Sequence, residues 1–357
     1  MNEVVDCVGD GRSRGYIHGE AARPLVEAAV TRWEEATVPP SGAPRREYLD
    51  GLVNNSGFLA AMQRQAPELM AELRGIADGA GLDFDLVAAY NLMDEQWAYD
   101  RERVGSLGCS LLLRRADKEH SGFLAQNMDL PDFMDGGQLV LRVAGADQPE
   151  SLVFTSAGLL GLTGVNRCGV AVCVNTLLML PSSSTGLPVS AIVRGALAQP
   201  NLASAERFIE RSVHASGQHY AIASPEGFAS LECSAAGVAQ SKSDGAMTLI
   251  HTNHPLVVEP DRYPGWDARN DESLLANSRR RLTFLEARAS GNCDLATAED
   301  LLEDRTVPIC MGLDDGLPGT TTFGSVAYKL SDPPEARFRF GNSDSAGWLP
   351  FHWRETT

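Results

Sequence analysis

The chain has 357 residues, 43% of them hydrophobic and 22% charged, a balance that fits a globular protein and excludes general disorder. Its 47 acidic and 30 basic side chains give a formal net charge of −17. That field repels nucleic acid and anionic membrane surfaces at long range and weighs against an anionic substrate. No stretch approaches the ~18 consecutive apolar residues of a membrane span. The acidic start, with neither a basic nor an apolar leader segment, sets the expectation of a cytoplasmic protein.

The first hundred residues read as mainly helical. Glu20 to Ala36 places Leu25, Val26, Ala29, Val30 and Trp33 at the spacing of an amphipathic helix. After the Pro-rich break VPPSGAP, Phe58 to Ala77 is again helical, with Pro67 splitting or kinking it. Leu82 to Trp97 is a third helical stretch. The pattern then changes to short strand-like runs bounded by turn residues: Leu107 to Arg114, Gly122 to Met128, Gln138 to Val143, Leu152 to Thr155, Gly158 to Gly164 and Val170 to Val174. Two helices, Val189 to Ala198 and Ala203 to Arg211, interrupt the series. Strands return at Tyr220 to Ala223, Phe228 to Cys233 and Met247 to His251. Glu272 to Arg288 reads as a helix with Leu274, Leu275, Leu282 and Leu285 on one side and Arg279-Arg280-Arg281 as a solvated face. A helix at Thr297 to Glu303 precedes strands at Thr322 to Leu330 and Ala336 to Phe340. Strands alternating with helix pairs predict an α+β layered fold rather than a βαβ repeat. The linker-like segments Val38 to Arg46, Pro181 to Gly186 and Glu259 to Asp271 are too short to separate domains, so one domain spanning 1–357 is expected.

The seven cysteines are Cys7, Cys109, Cys168, Cys173, Cys233, Cys293 and Cys310. An odd count, wide spacing and no Cys-x-x-Cys pair argue against a disulfide framework or structural zinc. Most read as small buried hydrophobes. One stands out. In Gly108-Cys109-Ser110, at the start of a strand, the glycine leaves the preceding carbonyl open and tolerates the backbone strain of an acyl shift. Cleavage before Cys109 would give one residue both a thiol and an α-amine of pKa ~7.7–8, a nucleophile with its own base. A strand-initial Cys is also an ordinary core residue.

Ala125-Gln126-Asn127-Met128-Asp129-Leu130 follows one hairpin later and can return Asp129 to the side of Cys109, to hold the amine or orient the thiol. It can equally be a polar strand end. His251-Thr252-Asn253-His254 follows another strand. Two histidines without a third ligand at a usual spacing argue against a metal, whereas Asn253 fits a donor to an oxyanion. A loop asparagine between hydrogen-bonded histidines is the plainer alternative. There is no P-loop.

The order of these segments resembles the acyl-coenzyme A:isopenicillin N acyltransferase family of autoproteolytic cysteine Ntn (N-terminal nucleophile) hydrolases. Gly15-Tyr16-Ile17-His18-Gly19, Leu73-Arg74-Gly75-Ile76-Ala77-Asp78-Gly79, Gly164-Val165-Asn166 with Gly169-Val170-Ala171-Val172, and Thr185-Gly186-Leu187-Pro188 are similar to further family motifs in the same order. The resemblance implies a four-layer αββα Ntn-hydrolase sandwich, made as a precursor and cut between Gly108 and Cys109. The pieces, 1–108 (mainly helical) and 109–357 (carrying the nucleophile), would stay associated. It makes Cys109 the nucleophile, Asp129 the active-site aspartate and Asn253 the oxyanion-stabilising asparagine, with Ser110, Gln126, Asn127 and His254 as supporting candidates. The family pattern also has a functional arginine shortly before a Gly-Ala-Thr-Leu-Phe stretch. Here the matching segment is Leu317 to Phe323 and Pro318 takes its place, which points away from the same substrate.

The expected activity is hydrolysis of a small N-acyl amide through a thioester acyl-enzyme, with no metal or cofactor. The alternatives are acyl-coenzyme A-dependent N-acyl transfer and an uncleaved, non-catalytic binding protein. Neither a nucleic-acid nor a membrane partner is expected, and the oligomeric state is left open.

Overall fold

The structure, a computed structural model, describes residues 4–39, 42–100, 108–118, 120–241, 246–258, 268–289, 293–312, 319–343 and 347–354. Leu107 and Pro318 and nearly all of the segment 259–271 lie outside these residues. The chain opens with a short strand, β1 (Val4–Val8), and a helix, α1 (Gly11–Ala21), that apolar spacing does not reveal. Asp10 caps α1 by accepting the Ser13 N–H at 2.8 Å. Gly11, Gly15 and Gly19 would weaken an isolated helix. Here they let α1 lie backbone to backbone on α5 (Pro67–Ala80): a Cβ at Gly15 would fall 1.9 Å from the Glu72 carbonyl oxygen, and one at Gly79 would fall 2.2 Å from that of Tyr16.

The helix expected over Glu20 to Ala36 is broken at Ala22, where α2 (Arg23–Ala36) starts with Pro24 in its first turn. The short α3 (Arg45–Asp50) overlaps the expected linker. Pro67 divides Phe58 to Ala77 into α4 (Phe58–Gln65) and α5, as its missing N–H dictates. Leu82 to Trp97 is two helices, α6 (Phe84–Tyr90) and α7 (Met93–Asp100).

The strands build two sheets. The strands β2 (Gly108–Arg114) and β3 (Gly122–Pro131) pair with β11 (Thr248–His251), β12 (Thr320–Leu330), β13 (Glu335–Phe340) and β14 (Leu349–Phe351) in the order β11-β2-β3-β12-β13-β14. The second sheet contains β4 (Gln138–Gly145), β5 (Gln148–Ser156), β6 (Thr163–Asn166), β7 (Ala171–Thr176), β8 (Gln218–Ser224), β9 (Gly227–Ser234) and β10 (Gly237–Gln240) in chain order, with β1 outside β4. Neighbouring strands are antiparallel except β1 and β4, which are parallel. The Gly158 to Gly164 run is a turn until Thr163, not a strand.

The sheets face each other, with β2 and β3 against β7. Helices α8 (Val189–Leu197) and α9 (Leu202–Arg211) cover the outer face of the larger sheet, and α10 (Ala268–Arg288) and α11 (Leu295–Leu302) cover that of the smaller one. The layering is αββα, as the resemblance implies. Leu111, Leu113 and Met128 point into the intersheet core, whereas Leu112, Phe123 and Ala125 on the alternate face meet Phe284, Leu285, Ala298 and Leu302 of the outer helices. A buried ion cluster ties the N-terminal helices to α8: Glu72 receives Arg14 Nε at 2.9 Å and Arg194 Nη1 and Nη2 at 2.6 and 3.1 Å. Among the described residues no helix is long and apolar enough to cross a membrane.

Candidate active site

The β2–β3 hairpin sets the site. Its register pairs Gly108 with Asp129 and Cys109 with Met128, so alternation sends Cys109 toward the facing sheet while Gly108, Ser110 and Asp129 share the other face. Gly108 is required by proximity: a Cβ there would lie 2.6 Å from Asp129 Oδ2. Cys109 is 6% exposed.

Asp129 is fully buried. Thr322, opposite it on β12, accepts the Met311 N–H at 2.7 Å and donates its hydroxyl to Asp129 Oδ1 at 2.6 Å. The β12 register shifts at Phe323, directly beside this contact. Among the described residues Asp129 Oδ2 has no hydrogen-bond partner. Burial pushes the carboxyl up to about 7, against the pull of Arg281 and the Thr322 hydroxyl. Burial and the Asp129 carboxyl push the Cys109 thiol up to about 12, against Arg281.

Asn253, just past β11, reaches Cys109 directly. Its Oδ1 accepts the Cys109 N–H at 2.6 Å, and its Nδ2 donates to the Thr176 carbonyl at 3.1 Å. From the facing sheet, Asn175 donates to the carbonyls of Cys109 and His251 at 3.3 and 3.4 Å. Asn175 Oδ1 lies 3.1 Å from His219 Nδ1, and the His219 ring stacks on His251 with centroids 3.6 Å apart. Burial holds His219 well below the usual imidazole range. Glu232 lies 3.3 Å from His251 Nε2 and accepts the N–H groups of Leu256, Val257 and Val258, which fixes the loop beyond Asn253. Burial alone would raise the Glu232 carboxyl, but these hydrogen bonds hold it below its ordinary value.

Asp94 on α7 accepts from Thr176 Oγ1 at 2.9 Å and Gln218 Nε2 at 3.2 Å, and Glu95 accepts from the Val189 N–H and Ser216 Oγ, both at 3.0 Å. The helix preceding the Gly108 segment is therefore anchored by buried carboxyls.

Arg281 overturns a sequence expectation. Arg279 and Arg280 are exposed, but Arg281 is 0% exposed, on the face of α10 that rests on the smaller sheet. It donates to the Cys109 carbonyl at 2.6 Å, Ser110 Oγ at 3.1 Å, Asn253 Oδ1 at 3.0 Å and Asn277 Oδ1 at 2.8 Å. The signal was its place in a helical stripe: Ser278, Arg281 and Leu285, spaced by three and four, are all buried.

The structure thus brings together Gly108, Cys109, Ser110, Asp129 and Asn253. The other candidates support from a distance. Gln126 links the sheets by donating to the Val174 carbonyl at 2.7 Å. Asn127 points away from Cys109 and donates to the Leu302 and Ile309 carbonyls at 2.7 and 2.8 Å. His254 Nδ1 lies 2.8 Å from Ser278 Oγ, which also accepts the Asn253 N–H, and burial pushes the imidazole down to about 4. Among the described residues no group of three or more His, Cys, Asp or Glu side chains is placed to share a metal ion.

A family model described as acyl-coenzyme A:6-aminopenicillanic acid acyl-transferase matches residues 115–343, which include Asp129, Asn253, Arg281 and Thr322 and begin just after β2. A curated relative from Emericella nidulans, the 40 kDa form of acyl-coenzyme A:6-aminopenicillanic-acid-acyltransferase, is 25% identical over 256 residues, covering 71% of this chain and 69% of its own. Among solved structures, penicillin V acylase from Agrobacterium tumefaciens matches with a TM-score of 0.44 at 14% identity, over 68% of this chain and 86% of that one. A mutant of conjugated bile acid hydrolase from Clostridium perfringens matches at 0.43 and 10% identity, over 68% and 92%.

Proposed function

The chain belongs to the acyl-coenzyme A:6-aminopenicillanic acid acyl-transferase family, and on that premise we propose that it is an autoproteolytic N-terminal-cysteine amidohydrolase acting on small N-acyl amides. The observation that carries this reading is the meeting of three groups at one peptide bond: the Cys109 side chain, an unpartnered Asp129 oxygen against Gly108, and Asn253 on the Cys109 nitrogen.

In maturation, Cys109 Sγ adds to the Gly108 carbonyl. The Gly108–Cys109 C–N bond breaks, a thioester forms, and the Cys109 nitrogen takes a proton. The Asp129 carboxyl, which lies against Gly108 and titrates at about 7, is suited to carry that proton at neutral pH. Water then cleaves the thioester, leaving Gly108 as a carboxylate and restoring the thiol. Burial of Cys109 before the cut fits a precursor closed to substrate.

In turnover, the new α-amine takes the thiol proton and the thiolate adds to the substrate carbonyl. Asn253 Nδ2, released from the Thr176 carbonyl, donates to the oxyanion, a contact worth ~10²–10³ in rate. The α-ammonium protonates the departing amine. Water activated by the same amine then resolves the acyl-enzyme.

A second reading, acyl transfer from acyl-coenzyme A to an amine, is favoured by the name of the Emericella relative. Pro318 at the place of the family arginine and the net charge of −17 favour hydrolysis. Intact mass tests the machinery: the wild type should give fragments 1–108 and 109–357, and Cys109→Ala a single chain. An uncut wild type sinks the proposal in favour of a binding protein. With matured enzyme, steady release of amine from N-acyl amides in water supports hydrolysis. Strict dependence on an acyl-coenzyme A donor and an amine acceptor reverses it.

A further inference from the structure

Arg281 has no place in the reaction just described, yet its guanidinium is buried against the nucleophile's own backbone. An arginine cannot shed its charge, so a folded chain that buries one here has placed a permanent cation at the site. Four of its five N–H donors are engaged, which fixes its position: the Cys109 carbonyl and Ser110 Oγ on Nη1, Asn253 Oδ1 on Nη2, Asn277 Oδ1 on Nε. Two consequences follow from donor and acceptor chemistry alone. A guanidinium has no acceptor, so it holds the Asn253 amide with its oxygen on the Cys109 nitrogen and leaves Nδ2, here on the Thr176 carbonyl, as the donating end. Arg281 Nη2 and the Cys109 nitrogen also share that oxygen, so their separation cannot exceed the sum of two hydrogen-bond lengths.

We propose that Arg281 is a positioning residue that sets the working pH of the nucleophile, its cation holding the Cys109 α-amine neutral and favouring the thiolate beside it. The idea rests on the proposed function, because the amine exists only after cleavage. A like charge this close disfavours an ammonium, and an opposite charge favours a thiolate.

Among the described residues, the other charged or titratable groups that act on Cys109 are Asp129 from β3, Asp94 from α7 and Cys173 from β7. The two carboxyls oppose Arg281, but burial raises both toward their neutral forms, whereas the guanidinium keeps its charge. Beyond Asn175, His219 is held neutral and Glu232 is engaged by His251 and three backbone N–H groups.

The test is the acidic limb of kcat/KM against pH for matured enzyme and an N-acyl amide substrate. Iodoacetamide alkylation of Cys109, read at the peptide by mass, is the substrate-free probe. The wild-type limb should lie below the ~7.7–8.0 of an ordinary α-amine. Arg281→Met should move it up by ~1–3 pH units, and Arg281→Lys, which keeps a cation, should move it less. An unmoved limb in Arg281→Met, or an equal movement in the lysine variant, overturns the proposal. If Arg281→Met fails to fold, the wild type still decides, since a limb at or above the ordinary amine range is equally fatal. If the wild type remains uncut, the proposed function fails separately. The alkylation profile of the intact chain then reads the thiolate half: an upward move in Arg281→Met sustains it, and no move refutes it.

Discussion

Replacing Asp129 by asparagine in a Cys109→Ala background should remove a pH dependence of stability that the native fold carries. The alanine keeps the chain in one piece, so unfolding is unimolecular. The Asp129 carboxyl moves from 3.8 to about 7 because it is buried with one oxygen unpartnered. The native state therefore binds its proton more tightly than the unfolded state does. Between these values stability falls as pH rises, and at 1.36 kcal/mol per unit the whole span is worth about 4 kcal/mol. The penalty is absent below pH ~4 and complete above pH ~7. The asparagine variant lacks it. The attraction of Arg281 for the Asp129 carboxylate is already contained in that shift, and any loss from the buried Nδ2 is an offset that pH does not change. Urea unfolding at pH 4 to 8 measures both chains. The stability of Cys109→Ala minus that of the double variant should fall by about 4 kcal/mol across the range. A flat difference would mean that Asp129 ionises near 4 in the fold, and the proton carrier of the maturation step would be lost.

Gly15→Ala should destabilise the fold by ~3 kcal/mol or more, because its Cβ meets the Glu72 carbonyl oxygen at 1.9 Å and backbone cannot retract as a side chain can. An unchanged urea midpoint would show that α1 and α5 are not in backbone contact. Arg194→Met should cost ~3–5 kcal/mol, since it strips Glu72 of two charged hydrogen bonds inside the core. Adding Glu72→Met should restore part of that loss, and strict additivity in the double-mutant cycle would deny the pairing.

The parts legible in the sequence are those fixed by short-range pattern. Two short strand-like runs, β2 and β3, with turn residues between, give the hairpin, and the hairpin alone brings Asp129 to Gly108. Asn253 reaches Cys109 because β11 pairs with β2. Contacts made across layers are not written locally. Arg281 looks like its exposed neighbours Arg279 and Arg280 until α10 is laid on the smaller sheet. Asn175 and Thr176 end β7 without any mark that they reach the opposite sheet. The α1 helix carries no apolar stripe that marks it, because what compensates its glycines lies on α5, more than fifty residues away. Strands β1, β10 and β14 are short edges whose conformation comes from the ladder they join. The family-like Gly15-Tyr16-Ile17-His18-Gly19 segment acquires a physical role only in three dimensions: its glycines seat α1, and His18 Nε2 accepts the Gly158 N–H at 3.1 Å.

The edge position of β1 beside β4, together with the Glu72–Arg194 contact, bears on the history of the molecule. Both join a part of the chain before Gly108 to a part after it. While the backbone is whole, a tether keeps these surfaces at the high effective concentration of an intramolecular encounter. If the bond before Cys109 is cut as proposed, they have no tether, and two polymers pulled apart by heat or urea can meet again only by diffusion, at whatever dilution they find themselves. The architecture is then assembled as one body and, if ever dismantled, lost as two.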